Sequence, residues 1–131
     1  MILIPQNVQT TEWPTSVTWF DDNGLLYCVY KKGVERSMKE TRDTIEEFKK
    51  QLNGKKVCML ADVTNSGPSS KQIREYAATE LPKFIKAIAM ISDSPLGKML
   101  ANLFLTLKSQ PYPTRVFNNE NEAREWLKQY L

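Results

Sequence analysis

The stretch that decides the fold runs from Lys56 to Tyr76 and reads KVCMLADVTNSGPSSKQIREY. Val57 to Val63 form a nearly continuous apolar run, which is typical of a strand with helices on both faces of its sheet. A polar loop then leads to a helix, and the spacing of Ser69 and Gln72 predicts a capping box at its start. The carboxyl end of a parallel strand is a common place for a site. Polar residues gather here: Asp62, Thr64, Ser66, Ser69, Ser70.

Upstream of this stretch, the sequence predicts a hairpin and a helix. Val17–Phe20 and Leu25–Tyr30 are rich in β-branched and aromatic residues, and Asp21–Gly24 between them tolerates positive φ. Ser37 and Glu40 then have the spacing of a capping box, which predicts a helix that follows the hairpin.

Downstream, the alternation of strands and helices continues to the end of the chain. Ala87–Ile91 reads as a second buried strand, and Ser94-Pro95 opens a strongly apolar helix over 95–107. Thr114–Phe117 makes a last strand, after which Asn119 caps a final helix. The order predicts an α/β fold, a β-hairpin followed by βαβ units, with a mixed, mostly parallel sheet covered by helices.

Length and composition bound the class of protein. A chain of 131 residues fits a single domain spanning 1–131, because that length buries a core without metal or disulfide staples. The net charge of +3 is too small and too dispersed to favour nucleic acid. The apolar run 96–107 is shorter than the ~20 residues that cross a bilayer, and no signal peptide is recognisable. We therefore expect a cytoplasmic protein without a membrane span.

The reactive residue types needed for common catalytic sites are scarce. The chain has no histidine, which removes Ser-His and Cys-His nucleophilic schemes and histidine metal sites. Cys28 and Cys58 are too few for a thiolate zinc site, and both lie in apolar runs, where free cysteine behaves as a small buried hydrophobe. No phosphate-cradling glycine loop is present. The sequence predicts a protein that is not an enzyme and that has no metal or cofactor.

The order of elements, the strand end Leu60–Thr64, the Ser-rich start of the second helix and the stretch Phe117–Ala123 together resemble the STAS/SpoIIAA-like superfamily. The likeness extends from about Val17 to the end of the chain. It is strongest to an uncharacterised bacterial branch of small stand-alone proteins. The resemblance implies a SpoIIAA-like fold and a regulatory module that binds another protein.

In the anti-sigma-factor antagonists of that superfamily, a serine at the start of the helix after the central strand is phosphorylated, and this switches partner binding. Asp62 matches the family's strand aspartate, and Ser69-Ser70 lies at the distance of the switch serine. Pro68 and Lys71 occupy the positions of the aspartate and glycine in the family's Asp-Ser-Ser-Gly run.

Each polar candidate also has a structural interpretation. Ser69 is explained by helix capping alone, while a phosphate there would meet free backbone amides and the nearby Arg74. Asp62 is explained by hydrogen bonds to the backbone of the following loop, since no second acid stands at short spacing to form a catalytic pair.

The apolar helix 95–107 supports two further hypotheses. One is a cavity for a small lipophilic ligand, and the other is a homodimer interface. The structural alternative is that the helix simply packs on the sheet. The residues concerned are Met90, Met99, Leu103, Phe104 and Leu107.

Overall fold

The computed structural model describes residues 2–66, 69–95, 98–99 and 111–131, and these form an α/β domain. The strands are β1 (Thr11–Glu12), β2 (Ser16–Phe20), β3 (Leu26–Tyr30), β4 (Val57–Asp62), β5 (Ile85–Ile91) and β6 (Thr114–Phe117). The helices are α1 (Met38–Leu52), α2 (Lys71–Glu80) and α3 (Glu120–Leu127), and a short 3₁₀ helix follows α2 at Leu81–Lys83.

The strands form one sheet in the order β1-β2-β3-β4-β5-β6. The β1–β2 and β2–β3 pairs are antiparallel, whereas β3, β4, β5 and β6 are mutually parallel. The predicted mixed, mostly parallel sheet led by a hairpin is therefore confirmed. The two-residue strand β1 was not predicted, because two exposed residues carry no periodic signal.

The hairpin turn is built by residues suited to it. Gly24 has φ of +81°, which L side chains rarely adopt. The Asp21 Oδ1 atom accepts hydrogen bonds from the Asn23 and Leu25 amides, at 2.8 and 3.0 Å. These bonds fix the turn that aligns β2 with β3.

Helix ends follow the expected capping chemistry at α1 and α3. The Glu40 amide donates to Ser37 Oγ at 3.0 Å, and the Glu122 amide donates to Asn119 Oδ1 at 2.9 Å. Pro82 follows the end of α2 and has no amide to donate, and the chain tightens there into the 3₁₀ helix.

The core lies on both faces of the sheet, as the continuous apolar runs predict. On one face α3 packs through Ala123 and Leu127 against a cluster that includes Leu60. On the other face α1 packs through Ile45 and Phe48. Successive residues of the strands alternate between the two clusters, so the helices hold the sheet from both sides and its carboxyl edge is presented at one end of the domain.

Candidate functional site

Asp62 ends β4 in the middle of the sheet, and its side chain is 1% exposed. Its Oδ1 atom accepts from the Thr64 amide at 3.0 Å and from Thr64 Oγ1 at 2.6 Å. Its Oδ2 atom accepts from the Ile2 amide at 2.6 Å. The carboxylate thus fixes both the following loop and the start of the chain, because all three donors converge on it.

Thr64 joins the loop after β4 to the loop after β5. Its Oγ1 atom accepts a hydrogen bond from the Asp93 amide at 3.0 Å while donating to Asp62. The Val63 amide also donates to the Ile91 carbonyl at 2.8 Å. The first residues of the two loops are therefore held together at the carboxyl edge.

Ser66 is held from the other side by Arg36, which the sequence did not single out. The Arg36 Nη2 atom donates to Ser66 Oγ, and the guanidinium lies 4.5 Å from the centre of the Tyr30 ring. Burial is the main cause that raises the pKa of the Tyr30 hydroxyl. Parallel pairing of β3 with β4 is the signal that could have found Arg36, since it puts the loops after these strands side by side.

The start of α2 differs from the prediction by one residue. Ser70, not Ser69, is the N-cap, and its Oγ accepts from the Ile73 amide at 3.2 Å. The prediction of a capping box formed by Ser69 and Gln72 is therefore wrong. Either of the two adjacent serines could cap the helix, and in the structure the helix begins at Lys71, directly after Ser70. Ser69 instead offers its carbonyl to Arg74 Nη1.

The outer part of this region faces solvent. Ser70, Lys71 and Arg74 are exposed, and Ser69 and Ser66 are half-buried. Lys71 forms a loose ion pair with Glu75, at 3.9 Å. The structure thus brings all six predicted polar residues to one edge, with Asp62 and Thr64 inside and the serines and Arg74 outside.

The predicted apolar set is only partly described. Met90 is half-buried against the cluster under α1, while Met99 is 58% exposed. Leu103, Phe104 and Leu107 lie outside the described residues. The lipophilic-ligand and homodimer hypotheses stay predictions.

Both cysteines are free and buried, as predicted. Burial raises the pKa of the Cys28 thiol to about 11 and also raises that of Cys58. Neither thiol is a ready nucleophile, because the thiolate is the reactive form. In the part of the chain that the structure describes, no three acidic or cysteine side chains are grouped to hold a metal ion.

None of the described helices combines the length and apolar character needed to cross a bilayer. No functionally curated protein matches the sequence significantly.

A solved structure shares the fold. An uncharacterised DUF3478-family protein with a SpoIIAA-like fold from Shewanella loihica PV-4 superposes with a TM-score of 0.62 at 13% identity, covering 97% of this chain and 98% of that one. A protein of unknown function from Arthrobacter sp. FB24 is 21% identical over 86% of this chain and 92% of that one, with a TM-score of 0.30. The first similarity confirms the SpoIIAA-like fold suspected from the sequence.

One family model matches nearly the whole chain. It covers residues 18–131, from the second strand to the final residue, and describes a domain of unknown function. The chain therefore belongs to the DUF7793 family and has a SpoIIAA-like fold.

Proposed function

We propose that this protein is a non-enzymatic, cytoplasmic regulatory module that binds another protein through the loop and helix start formed by residues 62–74, here called the 62–74 surface. The observation that supports it is that the buried carboxylate of Asp62 accepts hydrogen bonds from the Thr64 amide and hydroxyl, while the side chains of Ser70, Lys71 and Arg74 face solvent. Backbone that is held in this way beside exposed polar groups suits recognition, since little ordering entropy is lost on binding.

The hydrogen bonds of Asp62 support a non-catalytic role. Both of its oxygen atoms accept from donors of the protein itself, and the side chain is almost fully buried. A general base needs an oxygen within reach of a substrate proton. The fixed position of Asp62 favours structural support over proton transfer.

The charges of the exposed residues in the 62–74 surface favour a partner group that is acidic or phosphorylated. Lys71 and Arg74 lie in the first turn of α2, where the helix dipole also places partial positive charge. Arg36 adds a third cation beside Ser66.

A phosphate on Ser69 would lie near these groups without removing the Ser70 cap, so Ser69 is the better candidate for a phosphorylation switch.

Photo-crosslinking in the native cells tests this proposal. A photoreactive residue replaces Gln72, which is exposed in the first turn of α2. We expect one discrete protein adduct, because the partner must lie within a few ångströms of this position. The matched control places the photoreactive residue at Lys50, which is exposed near the C-terminal end of α1, and it should not give that adduct.

Charge reversal then tests the contact itself. Arg74→Glu should reduce the yield of the Gln72 adduct at least about tenfold, as expected for a charge contact worth about 1.4 kcal/mol. Lys50→Glu should leave the yield unchanged. Identical adducts from Gln72 and Lys50, or an adduct insensitive to Arg74→Glu, would show that the 62–74 surface is not the contact.

A further inference from the structure

A cleft of about 520 Å³ opens at the amino edge of the sheet, at the opposite ends of the strands from Asp62. It lies where β5 begins, between the 3₁₀ helix and the segment that leads into β6. Its volume falls within the range of small-molecule sites. The residues that line it include Lys56, Lys86, Pro82, Ile85, Tyr112 and Tyr130.

Part of the cleft wall is made of prolines and aromatic rings, which are stiff. Pro82, Pro111 and Pro113 have φ fixed by their rings, so their part of the wall is formed before any ligand arrives. Tyr112 is 8% exposed and packs with the core, which fixes its ring. Tyr130 contributes a second aromatic side chain. Such walls suit a flat or aromatic body.

The charged side chains among the described residues that line the cleft are both lysines, Lys56 and Lys86. Lys86 is held at the cleft because its Nζ donates to the Tyr130 carbonyl at 3.2 Å. Glu80, two residues before Pro82, is already held by Lys49 and Lys83, each at 2.6 Å.

We propose that this cleft binds a small organic anion, a carboxylate or phosphate attached to an apolar or aromatic body. The anionic group lies between Lys56 and Lys86, and the body lies against the prolines and tyrosines. This site is separate from the 62–74 surface, so its test is independent of the proposed protein contact.

NMR titration of the full chain with 1-naphthyl phosphate and with 2-naphthoate tests the proposal. We expect saturable shifts at Lys86, Tyr112 and Tyr130, with Kd of roughly 0.1–1 mM for a ligand of this size. The neutral 2-naphthamide should bind at least about fivefold more weakly, because it lacks the attraction to the lysines. The tighter of the two anions indicates which acidic group the site prefers.

Lysine variants complete the test. Lys56→Met and Lys86→Met should each weaken anion binding about fivefold. Lys56→Met leaves the hydrogen bond between Lys86 and the Tyr130 carbonyl in place, so its effect reports the lost charge alone. Lys39→Met, at a side chain 86% exposed near the start of α1, is the control and should leave binding unchanged. Absence of saturable shifts, equal binding of the amide, or insensitivity to both cleft variants would overturn the proposal.

Discussion

Replacement of Asp62 by asparagine should destabilise the protein although it keeps size and shape. The amide oxygen can still accept from the two Thr64 donors, but the amide NH₂ must then face the Ile2 amide, which is itself a donor. The change loses a hydrogen bond to a charged acceptor and leaves a buried donor unpaired. Together these cost about 2 kcal/mol.

Urea unfolding measures this cost. With a slope of about 2 kcal/mol/M, the midpoint should fall by about 1 M. Asp22→Asn, at an exposed turn position, is the control and should stay within about 0.5 kcal/mol of the parent protein. An Asp62→Asn midpoint equal to the control's would refute the reasoning that this carboxylate anchors the loop and the start of the chain.

A double-mutant cycle with Ile2 separates the anchor from a general loss of stability. Ile2 is 6% exposed and packs in the cluster that contains Leu60, so Ile2→Ala should cost about 2 kcal/mol. Because both changes release the same segment, the double variant should be about 1 kcal/mol more stable than the sum of the single effects predicts. Strict additivity would show that the two residues act separately.

Further outcomes follow from the capping, ionic and thiol groups. Ser70→Ala should lower the free energy of unfolding by about 1 kcal/mol, whereas Ser70→Asp should keep the cap; equal loss in both would contradict the assigned N-cap. The ammonium groups of Lys49 and Lys83 lower the pKa of Glu80. Because these ion pairs stabilise the folded protein, Glu80→Gln should lower Tm by several degrees at pH 7. This carboxylate's contribution is present above its unfolded pKa and lost as pH falls through its lowered folded value, so the Tm difference should shrink in acid; a constant difference from pH 7 to 3 would count against the ion pair. Cys28 and Cys58 should resist Ellman's reagent at pH 8 until the protein unfolds, and rapid labelling of either in the native state would contradict their burial.

The sequence predicted the fold well because its signals are local and agree with one another. The capping box at Ser37, the cap at Asn119 and the turn before Leu25 all lie where their residue types indicated. The apolar run that ends at Asp62 correctly indicated a strand covered on both faces. Agreement of these short-range signals left few possible topologies.

The candidate site was less predictable, because its contacts join residues distant in sequence. The Ile2–Asp62 bond spans 60 positions, and the Arg36–Ser66 contact spans 30. No local pattern encodes either pairing. The choice between Ser69 and Ser70 as the cap failed for a different reason, since two adjacent serines satisfy the same rule and only the packing of the helix distinguishes them.

Native mass spectrometry of the protein purified gently from its own cells tests the central claim most directly, because one spectrum reports bound proteins and added phosphate together. The proposal predicts a co-purifying protein that is lost in Arg74→Glu and kept in Lys50→Glu. Retention of that protein by Arg74→Glu, or a bare monomer from the parent chain, would contradict the claim that the 62–74 surface binds a partner.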